Sequence, residues 1–177
     1  MTIEPIPQPK TFGELGFDAF YRCNLAIVYG YVLRLCGGSV DRAQDLTQEA
    51  WIAFVDQIRA GRADQLDVRW LIAVARNRYV DQWRRTRRLE SKLGLVWNAT
   101  RDCDNDDSVT REQVLEQLGE LEDDHRIVLM MRYIDGLPVD EIAAQISRTT
   151  TATYSLLARA RQDLRARLVG PIMGGTS

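Results

Sequence analysis

The sequence is poor in the residue types on which metal sites and disulfide frameworks depend. Its 177 residues include a single histidine, His125, and three scattered cysteines that form no C-x-x-C pair. No cysteine or carboxylate set has metal-ligand spacing around His125, and an odd number of separated cysteines indicates a reducing compartment. We therefore expect no metal, no cofactor and no disulfide framework.

The sequence also lacks long apolar runs. None approaches the roughly 20 residues that a helix needs to cross a bilayer. The first ten residues, MTIEPIPQPK, have neither the basic nor the apolar region of a secretory signal. With 45% hydrophobic and 27% charged residues, the composition predicts a cytoplasmic protein that does not insert into membranes and forms one ordinary domain or two small ones.

Motifs of common enzyme classes are missing as well. The sequence contains no phosphate-cradling glycine loop and no nucleophile elbow. Asp45 and Glu49 resemble a paired-carboxylate site, but they lie on a predicted open helix with no base partner. We expect neither enzymatic activity nor a small-molecule substrate.

What the sequence does have is helical periodicity along most of its length. Apolar residues recur at three- and four-residue steps, which predicts an all-α protein of two small helical domains. Ser39 or Asp41, and Asp123 or Asp124, stand where helix N-caps are expected. The predicted helices cover residues 12 to about 36, 41–59, 70–88, 110 to about 121, 125–135, 139–146 and 150–168. The predicted division is a flexible N-terminus 1–11, a first domain 12–93, a linker 94–110, a second domain 111–168 and a flexible tail 169–177.

Charge is segregated although the net charge is only −2. Residues 102–124 contain ten acidic side chains and one basic one, whereas residues 69–92 contain eight basic and two acidic ones. The acidic stretch marks the domain boundary. It is either a spacer or a competitor of nucleic acid for the basic modules on its two sides.

The stretch 70–88, WLIAVARNRYVDQWRRTRR, combines aromatic and basic residues on one helix. Ile72, Arg76, Tyr79 and Trp83 fall on one line of that helix. Aromatic rings that stack on unpaired bases, among cations that hold phosphates, suit an opened nucleic-acid strand. An amphipathic core helix with a solvated basic end explains the same pattern, and this segment alone does not decide between the two.

The predicted helix 41–59 carries a polar patch of Asp45, Gln48 and Glu49, with Trp51 and Ile52 beside it. Such a patch, flanked by large apolar side chains, is typical of a protein-contact surface, although a solvated helix face gives the same pattern. Near the C-terminus, a short helix, a tight turn at 147–148 and a longer basic helix form a helix-turn-helix pattern. Helical hairpins that bind no DNA share that pattern.

Three stretches together resemble the extracytoplasmic-function sigma factors of the sigma-70 family. DLTQEAW at 45–51 is similar to the family's D-x-x-Q-E-x-[FW] motif. WLIAVARNRYVDQWRR at 70–85 is similar to its W-L-x-x-I-A-x-N-x-x-x-D-x-x-R-R motif. The run 125–146 and LARARQDLR at 157–165 are similar to the opening and close of its C-terminal helix-turn-helix.

The resemblance implies that residues 12–93 are sigma region 2 and that residues 111–168 are sigma region 4. It implies contacts with the β′ clamp helices of core RNA polymerase by Asp45, Gln48, Glu49 and Trp51. It implies contacts with the −10 promoter element by Arg76, Asn77, Tyr79, Asp81, Trp83, Arg84, Arg85, Arg87 and Arg88. At the −35 element the implied DNA-binding residues are Arg148, Thr150, Thr151, Thr153, Tyr154, Ser155, Arg159 and Arg161. The helix from His125 is implied to lie near the β flap, and an anti-sigma factor is an implied partner.

The sequence departs from the family pattern at the second helix of the helix-turn-helix. Where the family has Gly-x-Ser-x-Gly-Thr-Val-Lys-Ser-Arg, this chain has SRTTTATYSL at 147–156. Ser147 replaces the turn glycine, Tyr154 the lysine and Leu156 the arginine. The loss of two cationic contacts predicts a salt dependence of DNA binding that is flatter by about two units on the log–log scale. Tyr154 and Leu156 are then candidates for protein contacts.

Three functions remain to be weighed. The favoured one is a promoter-specificity subunit that binds core RNA polymerase and promoter DNA. The second is a stand-alone helix-turn-helix regulator, which needs neither the 45–51 patch nor the aromatic–arginine helix. The third is a helical adaptor whose basic faces bind acidic proteins and which does not bind DNA in a sequence-specific way.

Overall fold

The computed structural model describes residues 12–63, 66–92 and 111–169, and every regular element in these ranges is helical, which confirms the all-α prediction. The predicted N-terminal segment 1–11, the linker 94–110 and the tail beyond 169 lie outside the described residues. None of the described helices is long and apolar enough to cross a membrane. The helices are α1 (Phe12–Leu15), α2 (Phe17–Leu35), α3 (Val40–Arg59), α4 (Val68–Lys92), α5 (Arg111–Gly119), α6 (Asp123–Leu129), a π-helical turn (Met130–Ile134), α7 (Val139–Ile146) and α8 (Thr150–Val169).

The chain divides into two compact units. The first comprises Met1–Leu33 and Ser39–Tyr79, and the second comprises Arg34–Gly38 and Val80–Ser177. The division therefore falls within α4, and the second half of this helix belongs to the second unit. The domain limits predicted from the sequence, 12–93 and 111–168, stay a prediction.

An aromatic cluster forms the core of the first unit. The rings of Phe20 and Phe54 stack with their centroids 5.1 Å apart, and both side chains are fully buried. Trp51 packs edge-on against both of them. Aromatic side chains bury large apolar areas, and edge-to-face pairs add to that stabilisation. The cluster thus holds α2 and α3 together.

The predicted single helix from residue 12 to the glycine pair is wrong at its start. Gly16 has a φ of +70° and separates α1 from α2. A left-handed residue interrupts the regular hydrogen-bond ladder, and glycine adopts this conformation without a side-chain clash. The periodicity of the apolar residues continues across the break, which is why the sequence pattern does not reveal it.

The second unit is built around α6 and α8. Ile127, Met130 and Met131 are fully buried, as are Ile142 of α7 and Ala160 of α8. The predicted helix 125–135 is a short α-helix followed by the π-helical turn, in which the amide of Asp135 donates to the carbonyl of Met130. Gly136, with a φ of +70°, follows this turn where the predicted helix ends.

Arg126 is a buried charge that joins separate segments of the second unit. Its guanidinium donates to the carbonyls of Leu35 (3.0 Å), Gly119 (2.9 Å) and Leu121 (2.6 Å), and it pairs with Asp123. A buried cation is tolerated when its donors are satisfied in this way. A Cβ at residue 37 would lie 2.6 Å from Nη1 of Arg126, and the φ of Gly37 is +62°, so both the packing and the backbone favour glycine here.

The turn between α7 and α8 contains a left-handed residue that is not glycine. Ser147 has φ 55° and ψ 46° and ends α7. The amide of Arg148 donates to the carbonyl of Ala143 over 3.0 Å, and Thr149 then caps α8 through its hydroxyl, which accepts from the amide of Ala152 over 3.2 Å. The turn thus has the geometry that glycine favours, at the cost of a strained serine.

This strain predicts that Ser147→Gly stabilises the protein. The left-handed conformation costs an L-residue roughly 1–2 kcal/mol, part of which glycine loses again through its unfolded-state entropy, so we expect a gain of about 0.5–1 kcal/mol. Urea unfolding followed by circular dichroism measures it. Ser147→Ala is the matched control, since it removes the hydroxyl and keeps the strained Cβ. A glycine variant no more stable than the alanine variant would contradict the prediction.

Candidate polymerase and nucleic-acid interfaces

The predicted polar patch lies on α3, and its members differ in exposure. Asp45 and Gln48 are exposed. Glu49 is half-buried and accepts a hydrogen bond from Nη1 of Arg78 on α4 over 2.8 Å. The patch therefore presents one free carboxylate and one amide, whereas the second carboxylate is neutralised by an arginine.

Among the four residues predicted to bind core polymerase, Trp51 is buried, which the sequence did not predict. It is only 6% exposed and belongs to the aromatic core, so the expectation of a surface tryptophan is wrong. It reaches the floor of an open groove of about 490 Å³ between α2 and α3. Gln48 and the 54% exposed Ile52 line the same groove.

Two polar groups of the residues that line this groove are buried without a hydrogen-bond partner in the described part of the structure. They are the indole N–H of Trp51 and the hydroxyl of Thr47. A buried donor without an acceptor costs about 1–3 kcal/mol. The groove therefore has a largely apolar lining, while these two polar groups are buried within the residues that form it.

The first half of α4 does not present the aromatic–arginine face that its sequence suggests. Tyr79 is fully buried and Arg76 is only 7% exposed. The guanidinium of Arg42 lies 5.0 Å from the centre of the Tyr79 ring, a cation–π contact within the first unit. Tyr79 is thus a core residue, and the expectation that its ring is open to bases is wrong for this conformation. Asn77, by contrast, is exposed.

Two of the predicted DNA-binding residues in the second half of α4 are held by hydrogen bonds to Asp124. Trp83 is 6% exposed, and its indole N–H donates to Oδ1 of Asp124 over 2.9 Å. Arg87 also donates two hydrogen bonds to Asp124. Its Nε lies 2.8 Å from Oδ1, and its Nη2 donates to Oδ2. The expected stacking surface at Trp83 is therefore closed in this conformation.

In the part of the chain that the structure describes, the other arginines in the second half of α4 do not contact Asp124 and differ in exposure. Arg84 pairs with Asp81 and donates from Nη1 to the hydroxyl of Ser147 over 3.1 Å. Arg85 and Arg88 are exposed. These two arginines form the exposed basic strip of α4.

The N-terminal turns of α8 separate into an exposed and a buried face. Thr150, Thr151, Tyr154 and Ser155 are exposed, with Tyr154 at 59%. Thr153 is fully buried and donates its hydroxyl to the carbonyl of Thr149 over 3.0 Å, so it is not accessible to DNA in this conformation, and its predicted DNA contact stays a prediction. Leu156 is only 2% exposed, which places it in the core and not, as suggested, on a protein-contact surface.

The arginines on α8 and in the turn before it also differ in exposure. Arg161 is exposed and Arg159 is half-buried. Arg148 donates from Nη2 to Oδ2 of Asp124 over 3.0 Å. Burial, and then repulsion from Arg159, lowers the pKa of Arg148, whereas the ion pair with Asp124 acts in the opposite direction. A guanidinium remains protonated under all ordinary conditions.

Asp124 is the residue that sequence reasoning missed. Asp123 or Asp124 was expected to cap the helix that follows, but Glu122 stands at the cap position of α6 and makes no side-chain cap hydrogen bond. Asp124 instead accepts hydrogen bonds from Trp83, Arg87 and Arg148. Because its partners lie 24 to 41 positions away, no local pattern in the sequence indicates them.

Comparison with known proteins decides the family. The model of sigma-70 region 2 matches residues 20–89, and that of sigma-70 region 4 matches residues 111–164. The extracytoplasmic-function RNA polymerase sigma factor SigL of Mycobacterium tuberculosis is 30% identical in an alignment 162 positions long that covers 85% of this chain and 87% of SigL. The chain belongs to the extracytoplasmic-function sigma factors of the sigma-70 family.

Two further comparisons agree with this sigma factor assignment. BldN of Streptomyces coelicolor, another extracytoplasmic-function sigma factor, is 29% identical over 87% of this chain and 60% of BldN. The solved structure of sigma factor RpoE from Bartonella quintana, in complex with the anti-sigma factor NepR, has a TM-score of 0.51 at 20% identity. It covers 85% of this chain and 96% of RpoE, and at this identity it supports the fold.

The predicted function is therefore confirmed. The protein is an RNA polymerase sigma factor, a subunit that acts with core polymerase at promoter DNA. The stand-alone regulator and the adaptor are not favoured.

Proposed function

We propose that the α3 surface of this sigma factor docks on the β′ clamp helices of core polymerase. Asp45, Gln48 and Ile52 supply the exposed contacts, and Glu49 acts with its partner Arg78. The groove supports this role, because it lies beside the patch and offers an apolar surface. Trp51 contributes as the groove floor. An apolar centre with a polar rim is the usual anatomy of a protein interface.

The DNA contacts divide between α4 and α8. Asn77, Arg85 and Arg88 are exposed on α4 and are proposed to contact the −10 element directly. Arg76, Tyr79 and Asp81 would support them from the same helix, while Trp83, Arg84 and Arg87 contribute once they are released. On α8 the exposed Thr150, Thr151, Tyr154 and Ser155 are proposed to meet the −35 element, with Arg148, Arg159 and Arg161 near the backbone. Threonine, serine and tyrosine hydroxyls can reach base edges or phosphates.

The remaining properties follow from the family. We propose domain limits of 12–93 and 111–168, joined by the acidic linker 94–110, with both chain ends outside the two domains. The protein works in the cytoplasm and has no catalytic activity of its own, because binding energy drives promoter melting. An anti-sigma factor is the proposed regulator, on the analogy of RpoE with NepR, and the helix from His125 lies near the β flap.

The single observation that carries the polymerase proposal is the groove beside the patch on α3. Gln48→Ala combined with Ile52→Ala is expected to weaken core-polymerase binding by about tenfold or more, because central interface contacts dominate affinity. Fluorescence titration of labelled sigma factor with purified core polymerase measures the change. Val40→Ala is the matched control, since Val40 is a 50% exposed apolar residue of the same helix. If the double variant and the control bind alike, the groove is not the docking surface.

The exposed strip of α4 gives a second prediction. Arg85→Ala with Arg88→Ala should reduce the log–log salt slope of promoter binding by holoenzyme by about two units, since each lost phosphate contact removes roughly one. Filter binding at a series of salt concentrations gives the slope. Arg22→Ala with Arg62→Ala removes the same charge from exposed positions elsewhere in the chain. An equal effect of both pairs would show that only net charge matters.

A further inference from the structure

The carboxylate of Asp124 is the meeting point of three side chains in the second unit. It is 5% exposed and accepts from Trp83 Nε1 at 2.9 Å, Arg87 Nε at 2.8 Å and Arg148 Nη2 at 3.0 Å. A carboxylate offers about four lone-pair sites. With the second contact from Arg87, this one is saturated.

The side chains around Asp124 are also proposed DNA ligands. Trp83 and Arg87 lie in the segment matched by region 2, and Arg148 lies in the segment matched by region 4. The two guanidinium nitrogens with which an arginine binds a carboxylate are the same ones with which it binds a phosphate. An indole ring that is 6% exposed has no free face for a base. While they hold Asp124, these groups are not free to hold DNA.

We propose that Asp124 is an intramolecular competitor for DNA, a latch that holds Trp83, Arg87 and Arg148 closed in the free sigma factor. Its carboxylate takes the place of a backbone phosphate on the two guanidinium groups and fixes the indole ring against solvent. DNA contacts at these residues require that Asp124 be displaced. This inference rests on the proposed DNA-binding role of the three side chains.

The contacts between Asp124 and its two arginines can open at a limited cost in free energy. When the contact opens, the carboxylate and both guanidinium groups regain hydration, which offsets part of the lost ion pairing. The neighbouring contacts are weaker: Arg84 reaches Ser147 through one hydrogen bond of 3.1 Å between exposed groups. A population shift between closed and open forms then sets the apparent affinity for DNA.

A purely structural role of Asp124 would have different consequences from a latch. If Asp124 only stabilised the fold, its replacement would lower stability and leave DNA affinity unchanged or reduced. If Asp124 acts as a latch, its replacement raises the affinity for DNA. Asp124→Asn tests this difference, because asparagine keeps the shape of the side chain but removes the charge that both arginines recognise.

The first measurement detects the closed form directly. In the full chain labelled with ¹⁵N, the indole N–H of each of the four tryptophans gives a resonance, and Trp83→Phe identifies that of Trp83. We expect slow solvent exchange at Trp83 in the unmodified protein and clearly faster exchange in Asp124→Asn, with the other three resonances unchanged as evidence of folding. Equal exchange rates at Trp83 in both proteins would overturn the latch.

The second measurement links the latch to DNA. Fluorescence anisotropy of a labelled oligothymidine gives the affinity of the free sigma factor at fixed salt. We expect Asp124→Asn to bind about tenfold more tightly than Glu122→Gln, since the apparent affinity follows the fraction in the open form. Glu122→Gln is the matched control because it removes one negative charge two residues away, at an exposed position with no side-chain cap bond. Equal affinities of the two variants would also overturn the latch.

Transcription with core polymerase separates this inference from the proposed function. If the unmodified sigma factor supports transcription but Asp124→Asn shows neither faster Trp83 exchange nor tighter oligothymidine binding than Glu122→Gln, only the latch fails. If the unmodified protein supports no transcription and does not bind core polymerase, the proposed function fails, whatever the exchange rate of Trp83.

Discussion

A charge that is removed from water must be paired, and this constraint shapes the second unit. Asp124 and Arg126 stand two positions apart on α6 and are 5% and 4% exposed. Arg126 is satisfied by carbonyls of three residues and by Asp123, and Asp124 by Trp83, Arg87 and Arg148. Loss of one partner leaves a buried charge uncompensated, which costs far more than the pair itself contributes. The end of α2 at Leu35, the second half of α4 and the turn before α8 are all linked to α6 by these two residues.

The same pairing explains how the basic surface is divided. Arg85 and Arg88 are exposed, whereas Arg84 and Arg87 on the same helix are engaged by other residues. On α8 the hydroxyl residues at 150, 151 and 155 are exposed, while Arg148 is held by Asp124. For a sigma factor this means that some of the proposed DNA-binding residues are exposed and others are held by the protein itself. The exposed and the held arginines thus differ in their hydrogen-bond partners.

Much of the fold was predictable because it follows from local patterns. The bounds of α7 were predicted correctly at 139–146, and α3 begins one residue earlier than predicted. The break at Gly16 and the π-helical turn were missed, because apolar periodicity continues through both. At the site, the exposure of Asp45 and Gln48 agrees with the predicted polar face. The burial of Trp51, Tyr79 and Trp83 was not predictable, since an aromatic residue on a helix suits a core as well as a binding face, and the partner of Trp83 lies 41 positions away.

The family assignment and the structure together describe a protein whose function lies in surfaces that bind polymerase and DNA. The most direct test is run-off transcription with purified bacterial core polymerase, the full chain and a pool of promoter fragments from its genome. A sigma factor gives discrete transcripts that appear only when the protein is present. Absence of transcripts, together with no detectable binding to core polymerase, would contradict this function.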